Sequence, residues 1–347
     1  RIRHRELTVS AEDKSKIFGE INPVFTAIIT GFAKNGQNDV SDVQGDPAYQ
    51  TDAGQFSDVG TYVIQPVLGG LKSKNHIFKF KNGSLAIGKK ILTVTADNKS
   101  KIYGDTNPGF TVTYNGFVNN GQQDLNDLEN VPDYLTDAEQ YSDAGDYTIE
   151  PKTGNLKSKN YSFDFKKGKL TIHQKELTIT ADDKVKIYGE ENPPFTLTKT
   201  GFVKNNGVEL NDLGGAAAFE SDALTLSGVG DYTITPVESN LHSKNYRFKF
   251  VSGKLTVVQR ELTIKAENKN KIFGEINPAF TVTINGYAKN GQENVSDLSG
   301  TVDYETDAQQ FSNAGTYYIK PLVGNLSSKN YKFAFQNGSL SVGKKQL

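Results

Sequence analysis

Leu92-Thr93-Val94-Thr95-Ala96, then Lys101-Ile102-Tyr103-Gly104 and Asn107-Pro108, is the stretch whose reading decides the fold. Its first five positions alternate apolar and polar, the period of a strand with one face buried. Asn107-Pro108 is a turn signal, because proline fixes φ and pushes the residue before it away from helix. The stretch recurs without a gap. Gly104 has counterparts at Gly19, Gly189 and Gly274, and Asn160 at Asn75, Asn245 and Asn330, each 85 residues from the next. A fixed period marks an array and overrides the two or three domains that 347 residues would otherwise suggest. The expected modules are 1–88, 89–173, 174–258 and 259–347.

Outward from the opening stretch, the second copy continues in the same vein. Phe110 to Tyr114 alternates again and ends at Asn115-Gly116. Gln122 to Leu128, with Leu125 and Leu128 three apart, reads as a short helix or docked turn, too short to stand alone. Tyr134-Leu135-Thr136 reads as a short strand. Gly145-Asp146-Tyr147-Thr148-Ile149 has the Gly-x-Tyr-x-Ile pattern repeated from Gly60, Gly230 and Gly315, and it predicts a tyrosine corner whose hydroxyl bonds upstream backbone. The close, Tyr161 to Phe165, Lys167-Gly168 and Leu170 to Ile172, reads as a hairpin, most plainly where the turn is Asn82-Gly83 or Asn337-Gly338.

Six or seven short strands per copy with almost no helix predict an all-β module. An immunoglobulin-like sandwich is favoured, and a β-grasp sheet with Gln122 to Leu128 as its crossing helix is the alternative. Twenty Phe and sixteen Tyr supply the core, with Phe columns at Phe110, Phe163 and Phe165 and their counterparts. Links such as His173-Gln174-Lys175-Glu176 lack the Gly, Ser or Pro of a flexible tether. They predict separate compact units set end to end in an elongated rod, with neighbouring repeats as each unit's first partners.

Composition narrows the function. With 39 basic against 40 acidic residues there is no electrostatic footprint for nucleic acid. No apolar run is long enough to span a bilayer as a helix. Zero Cys rules out disulfides, thiolate metal sites and a Cys nucleophile. The four His do not recur at the period, and no copy stands out as an active unit. At the ends, Ile2 falls in the column of Ile87, Ile172 and Val257, and Leu347 in that of Leu7, Leu92, Leu177 and Leu262. The expectation is a window from a longer array, or ends completed by another copy of the chain in a fibre.

Two acidic columns are filled in every copy: Asp42, Asp127, Asp212 and Asp297, and Asp52, Asp137, Asp222 and Asp307. They are the candidates for a calcium site in each repeat, since hard cations take several oxygen ligands. The competing reading is that each Asp caps a turn through backbone N–H groups. Lys14, Lys16 and Lys74 also recur, and Asn75 beside Lys74 raises a Lys–Asn cross-link; exposure on strand faces is the ordinary expectation for Lys. The aromatics could stack sugars, but their alternating positions point to core. No cofactor is expected beyond the calcium candidates, and no catalytic constellation is recognisable.

Lys101 to Pro108, Asn115-Gly116-Phe117, Gly145-Asp146-Tyr147, Asn160-Tyr161 and Gly168 to Thr171 together resemble the MBG domain of the YGX type. That family occurs as tandem repeats in large bacterial surface proteins and adhesins, and the resemblance covers essentially the whole chain. The first and fourth copies depart from it with Phe18-Gly19 and Phe273-Gly274 in place of Tyr-Gly. The resemblance implies an extracellular, non-catalytic spacer or adhesive module and brings no ligand-site residues; the alternatives to a stalk are a multivalent module that grips surface glycans or proteins and gains avidity from its copies, and a subunit of a self-assembling fibre.

Overall fold

The computed structural model describes residues 4–346, and Ile2 and Leu347, which set the register of the chain's ends, lie outside the described residues. Two compact units divide the chain, one up to His173 and one from Gln174 onward, each holding two modules. All regular structure among the described residues is strand. Among the described residues no helix is long and apolar enough to cross a membrane.

The second module shows the plan. Its strands are β1 (Lys90–Ala96), β2 (Lys99–Ile102), β3 (Val112–Asn115), β4 (Asp133–Leu135), β5 (Gly145–Lys152), β6 (Tyr161–Lys166) and β7 (Gly168–His173). They form a three-stranded sheet, β3-β1-β6, and a four-stranded sheet, β2-β7-β5-β4. Modules one, three and four repeat both sheets in the same order. Alternation in β1 does what the sequence predicts. Leu92, Val94 and Ala96 are buried, and Ile149, Leu170 and Ile172 of the other sheet are buried with them. Fully burying one such aliphatic side chain contributes about 1.5–3 kcal/mol. The Phe columns play a lesser part than expected: Phe110, Phe163 and Phe165 are half-buried at the margins of this aliphatic core.

The predicted closing hairpin does not form. β6 pairs with β1 in parallel, and β7 pairs in parallel with β2 and antiparallel with β5. Thr95 faces Lys166 and Lys99 faces Leu170, so one register runs through both parallel pairs. β1–β2 and β6–β7 are therefore two long strands that bend together from one sheet into the other. At the bend a side chain bridges the interrupted ladder, with Lys169 N–H donating to Asn98 Oδ1 at 2.8 Å. Asp13, Asp183 and Asn268 accept from Ser84, Lys254 and Ser339 in the same way. Gly168 is needed there because a Cβ would run into the carbonyl of Ala96, and Gly83, Gly253 and Gly338 meet Ala11, Ala181 and Ala266 alike. The Asn-Gly pairs that read as hairpin turns mark this close approach of two strands.

Of the two readings of Gln122 to Leu128, the short helix is absent, and Leu125 and Leu128 pack against the core from irregular backbone. Leu125 N–H donates to Val118 O, and the side chains of Asn120 and Asn126 take nearby backbone N–H groups, which uses the donors a helix would need. The other modules place a small hairpin there, such as Ala288–Asn290 with Glu293–Val295. Without a crossing helix the β-grasp alternative falls, and the modules are two-sheet β units.

Cores are not confined to single modules. In the first unit one apolar cluster joins Ala11, Phe18, Ala53, Ile64, Leu85 and Ile87 of module one to Leu92, Val118 and Tyr161 of module two. In the second unit Tyr188 and Val257 cluster with Leu262, Ala288 and Tyr331. A single residue, Lys89, parts the last strand of module one from β1, so the cores of these neighbouring modules meet.

Candidate functional site: the joint between modules

The first acidic column caps turns. Asp42 Oδ2 accepts from the backbone N–H groups of Lys74 and Asn75, and Asp127, Asp212 and Asp297 hold Lys159-Asn160, Lys244-Asn245 and Lys329-Asn330 identically. Their Oδ1 atoms accept from Ser73, Ser158, Ser243 and Ser328. The Ser73 hydroxyl, with His76 and the two backbone donors, holds the Asp42 carboxyl well below the usual carboxylate range against the opposing effect of desolvation. Asp52, Asp137, Asp222 and Asp307 lie exposed, each beside a buried Ala. Among the described residues the two columns do not come together with other His, Asp or Glu in any group suited to a metal.

Lysine supplies a feature that sequence reasoning assigned to the surface. Lys16, Lys101, Lys186 and Lys271 are buried at the centre of each module's tip, the Tyr-Gly or Phe-Gly turn and the loop packed against it. Lys101 Nζ donates to the carbonyls of Asp105, Glu139 and Gln140 at 3.0, 2.6 and 3.3 Å, tying the turn to the loop. Burial pushes its pKa down. Lys16 does the same with Glu20, Gly54 and Gln55, while Asn75 is held by Asp42, so the suggested Lys–Asn pair is engaged elsewhere. The tyrosine corner forms as predicted: Tyr147 Oη donates to Asp143 O at 3.0 Å, with Tyr62, Tyr232 and Tyr317 matching.

The tips of modules one and three plug receiving faces on modules two and four. In the first unit, Val59 N–H donates to Asn160 Oδ1 at 2.9 Å. Asn160 Nδ2 and Lys159 Nζ donate to the Asp58 carboxylate at 2.8 and 2.6 Å. The Phe18 ring meets Tyr161 edge-on, centroids 5.6 Å apart. Tyr161 is fixed by two bonds, accepting from Val118 N–H at 3.0 Å and donating to Leu125 O at 2.7 Å. In the second unit, Val229 N–H donates to Asn330 Oδ1 at 2.8 Å, and Tyr188 meets Tyr331 at 5.4 Å. Arg260 Nη1 adds a bond to Tyr188 O. Phe18 does at its joint what Tyr188 does, so the ring and not the hydroxyl makes this contact.

The invariant glycine follows from the same geometry. Gly19 and Gly189 have φ of +89° and +84°, which disfavours any side chain. A Cβ at Gly19 would strike the Val118 side chain, and one at Gly189 would strike Ala288. Sequence reading used the Gly and Asn columns only as markers of the period. Their role needs the partner face, which lies about a hundred residues away in the chain.

The model of the MBG domain (YGX type) matches residues 7–86, 92–171, 177–256 and 262–341. This chain belongs to the MBG domain family, YGX type. MBG modules of this type are non-catalytic repeats of bacterial surface proteins and adhesins, which puts the chain outside the cell at its surface. No curated protein matches it. Among solved structures, the I9–I11 tandem of titin is 15% identical over 73% of this chain and 100% of that one, with a TM-score of 0.21. Drosophila N-cadherin EC1-4 is 9% identical over 98% of this chain and 100% of that one, with a TM-score of 0.24. At such TM-scores no feature of either protein is transferred to this MBG chain.

Proposed function

We propose that this chain is a stiff stalk or spacer segment of a bacterial surface adhesin, its four MBG modules bounded at 88/89, 173/174 and 258/259. The reading rests on the apolar cluster that passes through the joint between modules one and two. A joint packed like a domain interior resists bending, because close-packed side chains transmit strain where a solvated linker would yield. Repeats that contact only their neighbours extend in one dimension. Small-angle scattering of the dilute chain tests this. Modules about 30 Å across predict a particle roughly 120 Å long, and a compact globule overturns the proposal.

A further inference from the structure

Module one differs from the other three along one edge. Its strand Ala27–Thr30 is the counterpart of β3 and ends the three-stranded sheet in the same way, with no further strand beyond it among the described residues. It runs antiparallel to Arg5–Ala11, with Ser10 opposite Ile28 and Ala11 opposite Ala27. Just before it, Thr26 O accepts from Glu12 N–H. Bonded pairs alternate along an antiparallel ladder, so Thr26, Ile28 and Thr30 turn their backbone groups to that neighbour. Ala27 and Ile29 turn theirs to the open side.

The side chains on this edge set it apart. Val24-Phe25-Thr26-Ala27-Ile28-Ile29-Thr30 is a run of high β-propensity without charge, Gly or Pro, the composition of strands that pair with their own copies. Val24 is 84% exposed and Ile28 55%. The other modules have Gly109, Pro194 and Ala279 in place of Val24, and Thr113, Thr198 and Thr283 in place of Ile28. Those three hydroxyls donate to the carboxylates of Asp97, Asp182 and Glu267, so an identical strand laid alongside would bring like charges together. Module three adds Lys199 on the strand itself. Charge on an edge is how native sheets discourage a further strand. In module one Glu12 is held by Thr26, and Ile28 stands bare. Beside the edge, Val24, Ala27, Ile29, Pro47 and Tyr49 line an open cavity of about 620 Å³ where the inward side chains of an added strand can pack. The open edge is independent of the joints. β3 and Val282–Asn285 show the same alternation of half-buried and exposed positions, and both lie in modules whose receiving faces are filled.

We propose that Ala27–Thr30 pairs with the same strand of a second copy, joining two chains edge to edge about a two-fold axis at Ile28. Ala27 of each copy exchanges backbone bonds with Ile29 of the other, and the two Ile28 side chains meet at the close position between those bonded pairs. The occupant follows from self-complementarity: an uncharged edge holds nothing that repels its own copy, and an antiparallel pair of identical strands is two-fold by construction. Each strand has one free edge, so the contact closes at two chains. A four-residue edge falls well short of a standard interface of about 1,600 Å², which makes the association weak and concentration-dependent. The inference stands without the stalk reading, which scattering of the dilute chain judges separately.

The wild-type chain has no Cys, so a single cysteine reports one contact. Two Ile28→Cys chains bring their cysteines to a Cα separation of about 4.5 Å, within disulfide reach. Thr30→Cys lies on the same strand and face but meets Thr26 of the other copy, not itself. Under mild oxidation Ile28→Cys is expected to form homodimers at least about tenfold faster than Thr30→Cys, because pairing raises the effective concentration of its thiols. Equal rates overturn the proposal. Sedimentation without any cysteine gives a second reading. The coefficient of the wild-type chain is expected to rise with concentration. Ile28→Lys should abolish the rise, as should Ile28→Thr, which installs the residue of the other modules without new charge; Thr113→Lys should leave it unchanged. A wild-type chain that stays monomeric, or association that survives both Ile28 substitutions, overturns the proposal equally.

Discussion

The joint inside the first unit and the joint inside the second use the same positions but close with different chemistry. Both place a backbone N–H on an Asn carbonyl oxygen, an aromatic ring edge-on against a buried Tyr, and a left-handed glycine against a small apolar side chain. The first adds Asp58 with its bonds to Lys159 and Asn160. The second has Gly228 at that position, and Asn330 Nδ2 turns back to Asp297. What the two share defines the joint. The ion pair is an addition at the rim, with Lys159 and Asp58 side chains 62% and 48% exposed, where such pairs contribute about 0–1 kcal/mol.

The glycines offer the hardest break. Gly189→Ala forces a side chain into left-handed φ and drives its Cβ into the rigid Ala288, at a cost of about 2–5 kcal/mol. Gly19→Ala costs less, because the Val118 side chain can shift. Gly274→Ala, with the same backbone strain and no neighbour, costs about 1–2 kcal/mol. Urea denaturation of the three variants gives the order, and equal losses would mean that the joint adds nothing to the strain.

Asparagine comes next. Asn330→Ala leaves the Val229 N–H without its acceptor and costs about 1–3 kcal/mol. Asn160→Ala should cost somewhat more, since Asp58 loses a donor as well; an effect at Asn330 exceeding that at Asn160 would invert the comparison. The smallest effect is electrostatic. Lys159 foremost, then Asn160, lowers the Asp58 pKa in the folded chain. That contribution is therefore complete above the unfolded value of about 4 and fades as pH falls through the folded one. Asp58→Asn should change stability by under about 1 kcal/mol near neutrality, less in high salt, and should flatten the acid dependence of the first unit alone.

The strands were legible wherever burial follows a period of two, as at Leu92, Val94 and Ala96, and so was the tyrosine corner, whose bond from Tyr147 spans four residues. Legibility failed where a residue's reason lies far away in the chain. Gly83 looks like half of a hairpin turn until Ala11, which it must approach, is beside it. Leu125 and Leu128 have helical spacing, but Leu125 N–H goes to Val118 instead. Lys101 looks like a surface residue because its three carbonyl partners are not identifiable from sequence. Of the joint, the aromatic, the glycine and the asparagine were visible as columns. Their meeting was not, since it couples Val59 to Asn160 and Val229 to Asn330.

The bent parallel ladder has a mechanical consequence. The strand pair that opens each module is hydrogen-bonded to the pair that closes it, in one direction and one register. A pull on the two ends of a module therefore drags the pairs past each other lengthwise. The load falls on many bonds in shear at once, where an antiparallel hairpin pulled from its open end would unzip one bond at a time.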